Sequence, residues 1–193
     1  MTKCKKNLIL DLDETLISAV SYDEYNPKNH DNKKKFFKYK NMDSYYVVFY
    51  RPGLEHFLRY IFKKFNVSIF TAASKDYALF IIENIILEND KNENVDRYLD
   101  YIFFSYHCDI TKKIKNGIKD LSALWDVYKL KGYNKFNTII IDDNHDVKKT
   151  GYCIQVPEFN FLNEGSENDN YLETLTKILD EYDLIPDNQQ FKC

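Results

Sequence analysis

Short apolar runs alternate with amphipathic segments along this chain, and several of the runs end directly in polar residues. Continuous apolar runs of this length are typical of strands in a parallel sheet that is covered by helices on both faces. The ligand crevice of such a sheet lies at the carboxyl ends of its strands. We therefore expect the polar residues to converge although they are far apart in sequence. The runs, with the residues that follow them, are 8–10 with Asp11 and Asp13, 67–70 with Thr71, and 138–141 with Asp142 and Asp143.

Other segments complete an α/β pattern of alternating strands and helices. Apolar residues at helical spacing predict helices over 54–65, 77–86 and 171–182, and a helix opened by Lys119 and Asp120 that carries Tyr128 inward. High β-branched and aromatic content predicts further strands at 45–50, 101–104 and 152–156. Polar composition predicts a loop or exposed hairpin at 21–44 and a mobile loop at 163–170.

Length and composition favour one folded domain. The 193 residues match a single domain, and 44% hydrophobic with 16% aromatic content is too apolar for a disordered chain. The net charge of -3 provides no basic field, which makes a nucleic-acid partner unlikely on charge grounds. We expect neither a signal peptide nor a membrane span, because no apolar run approaches the roughly 20 residues that a span needs. The expected organisation is a single domain over 1–193, with a flap or insertion at about 20–45.

The cysteines and the basic residues give weaker indications. The four cysteines are scattered without a C-x-x-C pair, which favours reduced thiols in an intracellular protein of the nucleus or cytoplasm. Lysines alternate with aromatic residues in 33–40, and we interpret this segment as an exposed hairpin face rather than a nucleic-acid or acidic-peptide site.

Asp11 and Asp13 lie two residues apart just after a predicted strand, so a bend of the backbone can place both carboxylates in one site. Such a pair suits a nucleophilic carboxylate with an acid/base partner, and carboxylates that become aspartyl-phosphates are established covalent catalysts. The two aspartates after the third run would bring further carboxylates, which repel each other at neutral pH. A hard cation relieves that repulsion, and Mg²⁺ prefers a few carboxylates together with water and phosphate oxygens.

Five motifs in this chain resemble, in the same order, those of the haloacid-dehalogenase superfamily of phosphotransferases. More narrowly, they resemble its branch of RNA polymerase II C-terminal-domain (CTD) phosphatases, which includes the small CTD phosphatases and the NLI-interacting-factor-like proteins. The resemblance implies a Rossmann-like fold with a central, mostly parallel sheet and helices on both faces. The motifs are Asp11-Leu12-Asp13-Glu14-Thr15-Leu16; Tyr50-Arg51-Pro52-Gly53 with Phe57-Leu58; Phe70-Thr71-Ala72-Ala73 with Tyr77-Ala78; Lys119-Asp120-Leu121-Ser122 with Leu124; and Ile140-Ile141-Asp142-Asp143.

The resemblance also implies a role for each candidate residue. Asp11 would attack phosphorus and become the aspartyl-phosphate, while Asp13 would protonate the leaving hydroxyl and then activate water. Thr71 and Lys119 would hold the phosphoryl oxygens. The implied ligands of Mg²⁺ are Asp11, the backbone carbonyl of Asp13, and Asp143, with Asp142 bound either to Lys119 or, through water, to the metal.

The sequence departs from the branch at two places. Small CTD phosphatases usually have Asn where Asp143 stands, followed by Ser-Pro, whereas Asn144 and His145 follow here. The segment 105–113 lacks the Arg that members of the branch use for substrate contact.

The implied function is a Mg²⁺-dependent protein serine/threonine phosphatase, with the polymerase C-terminal domain or a similar phosphopeptide as partner and no membrane association. Superfamily members that act on metabolites usually carry a large cap domain, but the spacing of the motifs leaves room only for a small hairpin flap. An open crevice fits phosphoserine or phosphothreonine on a flexible peptide. The flap residues proposed to line a groove for that peptide are Tyr22, Tyr25, Phe36, Phe37 and Tyr39.

Two other functions remain open from the sequence. A catalytically silent protein-binding module of the same fold would be expected to lose its acid or a metal ligand, yet Asp11, Asp13, Thr71, Lys119 and Asp142 are all present. A phosphatase for a small metabolite or a nucleic-acid end would prefer sugar phosphates or 3′-phosphorylated DNA over phosphopeptides.

Overall fold

The computed structural model describes residues 5–88, 96–115, 117–186, 188–189 and 191. The strands of this part are β1 (Asn7–Leu10), β2 (Ile17–Ser21), β3 (Tyr39–Met42), β4 (Tyr46–Tyr50), β5 (Asn66–Phe70), β6 (Ile102–Phe103), β7 (Thr138–Asp142) and β8 (Cys153–Gln155). The α-helices are α1 (Pro27–Lys33), α2 (Leu54–Lys64), α3 (Lys75–Ile81), α4 (Ser105–Lys115), α5 (Ser122–Asp126), α6 (His145–Lys148) and α7 (Tyr171–Leu184). A π-helical segment, Ile82–Ile86, continues α3.

The central sheet has the strand order β6-β5-β1-β7-β8, and each of its strand pairs is parallel. Leu10 at the end of β1 lies opposite Ile69 of β5 and Ile141 of β7. The register therefore brings the carboxyl ends of the three strands to the same edge. This confirms the predicted parallel sheet and places the polar residues that follow the strands close together.

Successive side chains of each central strand enter different apolar cores, as the two-residue repeat of a strand requires. Leu8 and Leu10 belong to a core built with α2, α3 and α7, whereas Ile9 belongs to a second core with α4, α5 and α6. The sheet is thus covered by helices on both faces, as predicted, which explains why its strands are continuously apolar.

The segment expected to form a flap is more structured than a hairpin. It contributes α1 and β3, and β2, β4 and β3 pair in that order as a separate antiparallel sheet. The predicted strand at 45–50 therefore belongs to this small sheet and not to the central one. Phe49 anchors it, because its ring stacks on Phe161 with centroids 4.0 Å apart. Among the described residues this sheet with α1 is the covering element beside the site, and no large cap is present.

One helix was missed from the sequence, and the start of another was predicted wrongly. Helix α4 was missed because it buries only Cys108 and Thr111, so its sequence lacks an apolar stripe. The helix predicted to open at Lys119 begins instead at Ser122, because Lys119 has a left-handed backbone with φ of 53°. The side chain of Asp120 then accepts a hydrogen bond from the Ser122 amide at 2.9 Å, which forms a local turn just before the helix.

Three further predictions concern cysteines, membrane spans and the loop 163–170. Cys108 and Cys153 are buried thiols, while Cys4 and Cys193 lie outside the described residues. Within the described ranges, no helix has the length and apolar character needed to cross a bilayer. The loop 163–170, predicted to be mobile, is instead held against the core, because Ser166 is buried and its hydroxyl donates to the Phe161 carbonyl at 2.9 Å.

Candidate active site

The backbone brings Asp11 and Thr71 together at the carboxyl edge of the central sheet. The Asp11 amide donates to the Ile141 carbonyl at 3.0 Å, and the Thr71 amide donates to the Phe103 carbonyl at 3.0 Å. Both residues thus prolong the ladder of their strand by one hydrogen bond. Thr71 Oγ accepts from the Ala73 amide at 3.0 Å, which leaves its hydroxyl hydrogen to donate to a bound group.

Lys119 reaches the same edge from the loop before α5. Its amide donates to the buried Thr111 hydroxyl at 3.1 Å, which holds the left-handed turn. Its Nζ then lies 2.7 Å from Asp11 Oδ1 and 2.7 Å from Asp142 Oδ2. The structure therefore joins residues that are more than a hundred positions apart into one buried ion-pair network.

This network has more negative than positive charge. Burial raises the pKa of Asp11 to about 7, while Lys119 acts to lower it and Asp142 raises it further. Burial alone would lower the pKa of Lys119, but Asp11 and Asp142 together raise it, so Lys119 stays charged. One ammonium group shared by two carboxylates leaves a negative charge in a nearly dry site, an arrangement that favours a further cation.

Asp143 adds a third carboxylate beside this network. Oxygen atoms of Asp11, Asp142 and Asp143 all lie within 4.8 Å of one another. Thr15 orients Asp143 twice, since its hydroxyl donates to Asp143 Oδ1 at 3.0 Å and accepts from the Asp143 amide at 3.1 Å. Hard oxygen ligands with excess negative charge fit Mg²⁺. The carboxylate of Asp13 is not in this cluster, so its implied contribution is limited to the backbone carbonyl.

Asp13 lies on the other side of the turn that follows β1. Its carboxylate accepts a hydrogen bond from the Tyr77 hydroxyl at 2.5 Å. Burial raises the pKa of Asp13, against the opposing effects of Tyr77 and Lys119. The turn is sharp, because Glu14 has a φ of 61° and its amide donates to the Ile17 carbonyl at 2.7 Å. This geometry separates the two carboxylates, because Asp11 is buried whereas Asp13 is half-buried and borders a groove.

Asp13 lines a groove of about 710 Å³ between the small antiparallel sheet and the loop after β5. Aromatic residues contribute to the groove, but they are not the five that the sequence suggested. Phe37 is buried in the core of the small sheet, and Phe36 lines a separate cavity of about 360 Å³. The lining residues are Asp13, Glu14, Ser18, Ala19, Val20, Glu24, His30, Tyr46, Ala73, Ser74, Tyr77, Asn160, Phe161 and Leu162.

The basic segment 33–40 engages nearby acidic residues. Lys38 lies 2.5 Å from Glu55, and Lys40 lies 2.7 Å from Glu88. These pairs support the interpretation of an exposed face with locally satisfied charges rather than a nucleic-acid site.

Sequence reasoning missed the role of Arg51. This side chain is buried and pairs with Asp169 through two parallel hydrogen bonds of 3.0 and 2.9 Å. Its Nη1 also donates to the carbonyls of Thr15 at 2.9 Å and Pro157 at 3.0 Å. Arg51 thereby fixes the turn that carries the catalytic candidates. The sequence feature that could have indicated this role is an Arg directly after a strongly apolar strand, because a charge at such a position must find a buried partner.

This parallel sheet, with its aspartate pair after β1 and its shared lysine, defines a haloacid-dehalogenase type of phosphatase fold. The family model of NLI interacting factor-like phosphatases matches residues 6–189. The chain therefore belongs to this family, within the CTD phosphatase-like branch of the superfamily.

Close relatives occur in two viruses. The chain is 39% identical over 183 residues to the CTD phosphatase-like protein 355R of Invertebrate iridescent virus 6, covering 92% of this chain and 98% of the relative. It is 36% identical over 185 residues to the protein of the same name in Invertebrate iridescent virus 3, covering 92% and 97%. Both comparisons extend over nearly the whole length of each protein.

Solved structures share the fold at low sequence identity. Fcp1, an essential RNA polymerase II CTD phosphatase, aligns with a TM-score of 0.52 and 21% identity over 92% of this chain and 51% of that structure. The fission yeast Fcp1-R271A variant bound to beryllium fluoride aligns with a TM-score of 0.53 and 19% identity over 97% and 59%. This chain thus spans a little over half the length of the Fcp1 structures.

Proposed function

We propose that this chain is a Mg²⁺-dependent protein serine/threonine phosphatase that acts through an aspartyl-phosphate on Asp11. The observation that carries the proposal is the pairing of two different carboxylates in one turn. Asp11 is buried against Lys119 at 2.7 Å, while Asp13 lines the groove through which a substrate would enter. A nucleophile held near a cation and an acid held near the leaving group are the two groups that the reaction needs.

In the proposed first step, an oxygen of Asp11 attacks phosphorus and the bond from phosphorus to the serine or threonine oxygen breaks. Protonated Asp13 gives its proton to that leaving oxygen. In the second step, the Asp13 carboxylate takes a proton from water while the water oxygen attacks phosphorus. Phosphate leaves, and Asp11 is regenerated as a carboxylate.

Thr71 and Lys119 would bind the phosphoryl oxygens during both steps. The Thr71 hydroxyl hydrogen and the Lys119 ammonium supply a donor and a fixed positive charge at the edge of the sheet. Mg²⁺ would be held by Asp11, Asp143 and the backbone carbonyl of Asp13, with Asp142 beside it. When bound, this ion supplies positive charge that stabilises the phosphoryl group in the transition state.

A phosphopeptide is the substrate that the groove favours. The groove has a volume of about 710 Å³, and a sheet of three short strands borders it in place of a cap. The two viral relatives are called CTD phosphatase-like, and the Fcp1 structures are of CTD phosphatases. We therefore propose phosphoserine or phosphothreonine in the polymerase C-terminal domain, or in a similar flexible peptide, as the target. We further propose that the whole chain acts as one phosphatase domain.

The test is hydrolysis of a generic aryl phosphate by the wild type, Asp11→Asn and Asp13→Asn, with and without Mg²⁺. Turnover should depend on the metal and should be lost in Asp11→Asn, where the amide is not a nucleophile. Asp13→Asn should lose about 10²-fold or more in kcat even on an aryl phosphate, because the Asp13 carboxylate also activates water in the second step. Folded, Mg²⁺-loaded wild type without turnover on aryl phosphate or phosphopeptides would instead support the silent binding module.

A further inference from the structure

Tyr77 makes a hydrogen bond to the carboxylate proposed as the acid. Its Oη donates to Asp13 Oδ1 at 2.5 Å, and no other side chain in the described part of the protein donates to Asp13. Oδ1 is therefore engaged, and Oδ2 has no side-chain partner. In a carboxylic acid the proton then belongs on Oδ2, because Oδ1 remains an acceptor in either protonation state.

The position of Tyr77 is itself fixed from two sides. It lies in the first turn of α3, where the Ala78 amide donates to the Ser74 carbonyl at 3.0 Å. Its ring meets Tyr46 of β4 edge to face, with centroids 5.0 Å apart. A tyrosine has few rotatable bonds, so a ring held by a helix and by a neighbouring aromatic residue presents its hydroxyl at a defined point.

Tyr77 also lines the groove beside Asp13, together with Tyr46. The bond to Asp13 thus forms where the leaving group of a bound substrate would emerge. Proton transfer depends on heavy-atom distances of about 2.6–3.2 Å, so the rotation of the Asp13 carboxyl group decides whether its proton reaches the leaving oxygen.

We propose that Tyr77 is a positioning residue that holds Oδ1 of Asp13 and thereby aims Oδ2 at the leaving oxygen. This inference rests on the proposed phosphatase function, with Asp13 as its acid. It assigns to Tyr77 a specific step, protonation of the leaving group, and no direct contact with phosphorus.

The expected signature is a dependence on the leaving group. A serine alkoxide leaves only with a proton, whereas nitrophenolate leaves readily without one. The ratio kcat/KM reports the steps up to departure of the leaving group, so it isolates this protonation from the later hydrolysis of the aspartyl-phosphate. Tyr77→Phe removes the hydroxyl and keeps the ring, so it should lower kcat/KM much more for the phosphoserine peptide than for nitrophenyl phosphate.

The experiment measures kcat/KM of the Mg²⁺-loaded wild type, Tyr77→Phe, Asp13→Asn and Tyr133→Phe on a phosphoserine peptide and on nitrophenyl phosphate. Tyr133→Phe is the matched control, because its buried hydroxyl lies 3.0 Å from Ser68 and 3.1 Å from Asp100 and takes no part in the proposed chemistry. For Tyr77→Phe we expect kcat/KM to fall about tenfold or more on the peptide and less than about threefold on nitrophenyl phosphate. The loss on the peptide is a part of the roughly 10²–10⁴-fold rate enhancement that a general acid typically provides.

Each outcome has a definite meaning. The inference is supported if kcat/KM falls more on the peptide than on nitrophenyl phosphate in both Asp13→Asn and Tyr77→Phe, while Tyr133→Phe leaves kcat/KM unchanged on both substrates. A selective loss in Asp13→Asn with Tyr77→Phe unchanged, or reduced equally on both substrates, overturns the role of Tyr77 and leaves the phosphatase proposal intact. An inactive wild type, or an Asp13→Asn variant without selectivity, overturns the proposed function and this inference with it.

Discussion

Asp11 and Asp142 share the single ammonium group of Lys119, each at 2.7 Å, inside a site with little access to water. Such a network is stable only if each charge is compensated, since a buried unpaired charge costs several kcal/mol. The two carboxylates exceed the ammonium by one charge. The residue-scale consequence is that protonation of Asp11, or binding of a cation, should control the stability of the protein.

The first prediction follows from Asp11 and pH. Because burial raises the pKa of Asp11 to about 7, the folded protein keeps a proton that the unfolded chain loses near pH 4. The contribution of Asp11 to the free energy of unfolding therefore falls as the pH rises from about 4 to about 7. In Asp11→Asn the amide does not ionise, so the variant avoids this loss of stability, and Lys119 remains paired with Asp142. In thermal unfolding with EDTA, the variant should match the wild type near pH 4 and exceed its melting temperature at pH 8.

Two further observations check that prediction. Excess Mg²⁺ should narrow the gap at pH 8, because the cation binds the folded wild type and stabilises it by mass action. A wild type that is more stable than Asp11→Asn at pH 8 without metal would contradict the charge imbalance.

The second prediction concerns Thr15, whose hydroxyl holds Asp143 through two hydrogen bonds. Partners of metal ligands typically contribute 10- to 100-fold to metal affinity, so Thr15→Val should weaken Mg²⁺ binding by about that factor. Thr15→Ser keeps the hydroxyl and should bind Mg²⁺ nearly as the wild type does. Isothermal titration with Mg²⁺ measures both variants. Equal affinity in Thr15→Val and Thr15→Ser would show that this hydroxyl does not organise the site.

At the scale of elements, Arg51 joins three parts of the chain that are distant in sequence. It follows β4, binds Asp169 just before α7, and donates to the carbonyl of Thr15 in the turn after β1. The ring of Tyr171 lies 5.5 Å from its guanidinium carbon. This contact set holds the small antiparallel sheet, α7 and the turn after β1 together.

The third prediction is a coupling between Arg51 and Asp169. Arg51→Met leaves Asp169 without its bidentate partner, and breaking such a buried pair costs about 3–5 kcal/mol. Because the pair is in direct contact, a double-mutant cycle with Asp169→Asn should give a coupling of about 0.5–3 kcal/mol. Denaturant unfolding measures the four proteins, and Lys38→Met serves as the control for an exposed pair. Additive effects of the two buried substitutions would argue against the coupling.

At the scale of the whole molecule, the groove between the two sheets is acidic. Its described lining contains Asp13, Glu14 and Glu24, and no Lys or Arg. Burial raises the pKa of Glu14, and so do the neighbouring charges of Glu158, Asp143 and Asp13. The groove therefore presents a negative field to a peptide that reaches past the phosphorylated residue.

The fourth prediction is a preference for basic residues beside the phosphoserine. Two unit charges about 4 Å apart interact by about 1 kcal/mol in water, so a flanking Arg should lower KM about fivefold relative to a second phosphoserine. The difference should shrink as salt is raised, because exposed charges are screened over about 8 Å at physiological ionic strength. Steady-state kinetics on matched peptides measure it, with Glu24→Gln expected to weaken the preference. A lower KM for the doubly phosphorylated peptide would contradict this assignment.

Much of the fold and the site was readable from the sequence, for local reasons. Apolar runs predicted the central strands, because buried parallel strands need apolar side chains on both faces. The aspartates and Thr71 could be located from the same runs, since they come where the strands end. Lys119 became a candidate from its position just before a predicted apolar-faced helix, and the resemblance of motifs then implied the role of each residue.

The sequence by itself thus determined the parallel α/β core, the order of the motifs and the residues at the carboxyl edge. Only the tertiary structure decided that Tyr77 binds Asp13, that Arg51 binds Asp169, and that β4 joins a separate sheet. The physical reason is the distance along the sequence between the residues that interact. Strand and helix periodicity depends on neighbouring residues, whereas a hydrogen bond between residues 64 or 118 positions apart depends on how the whole chain packs.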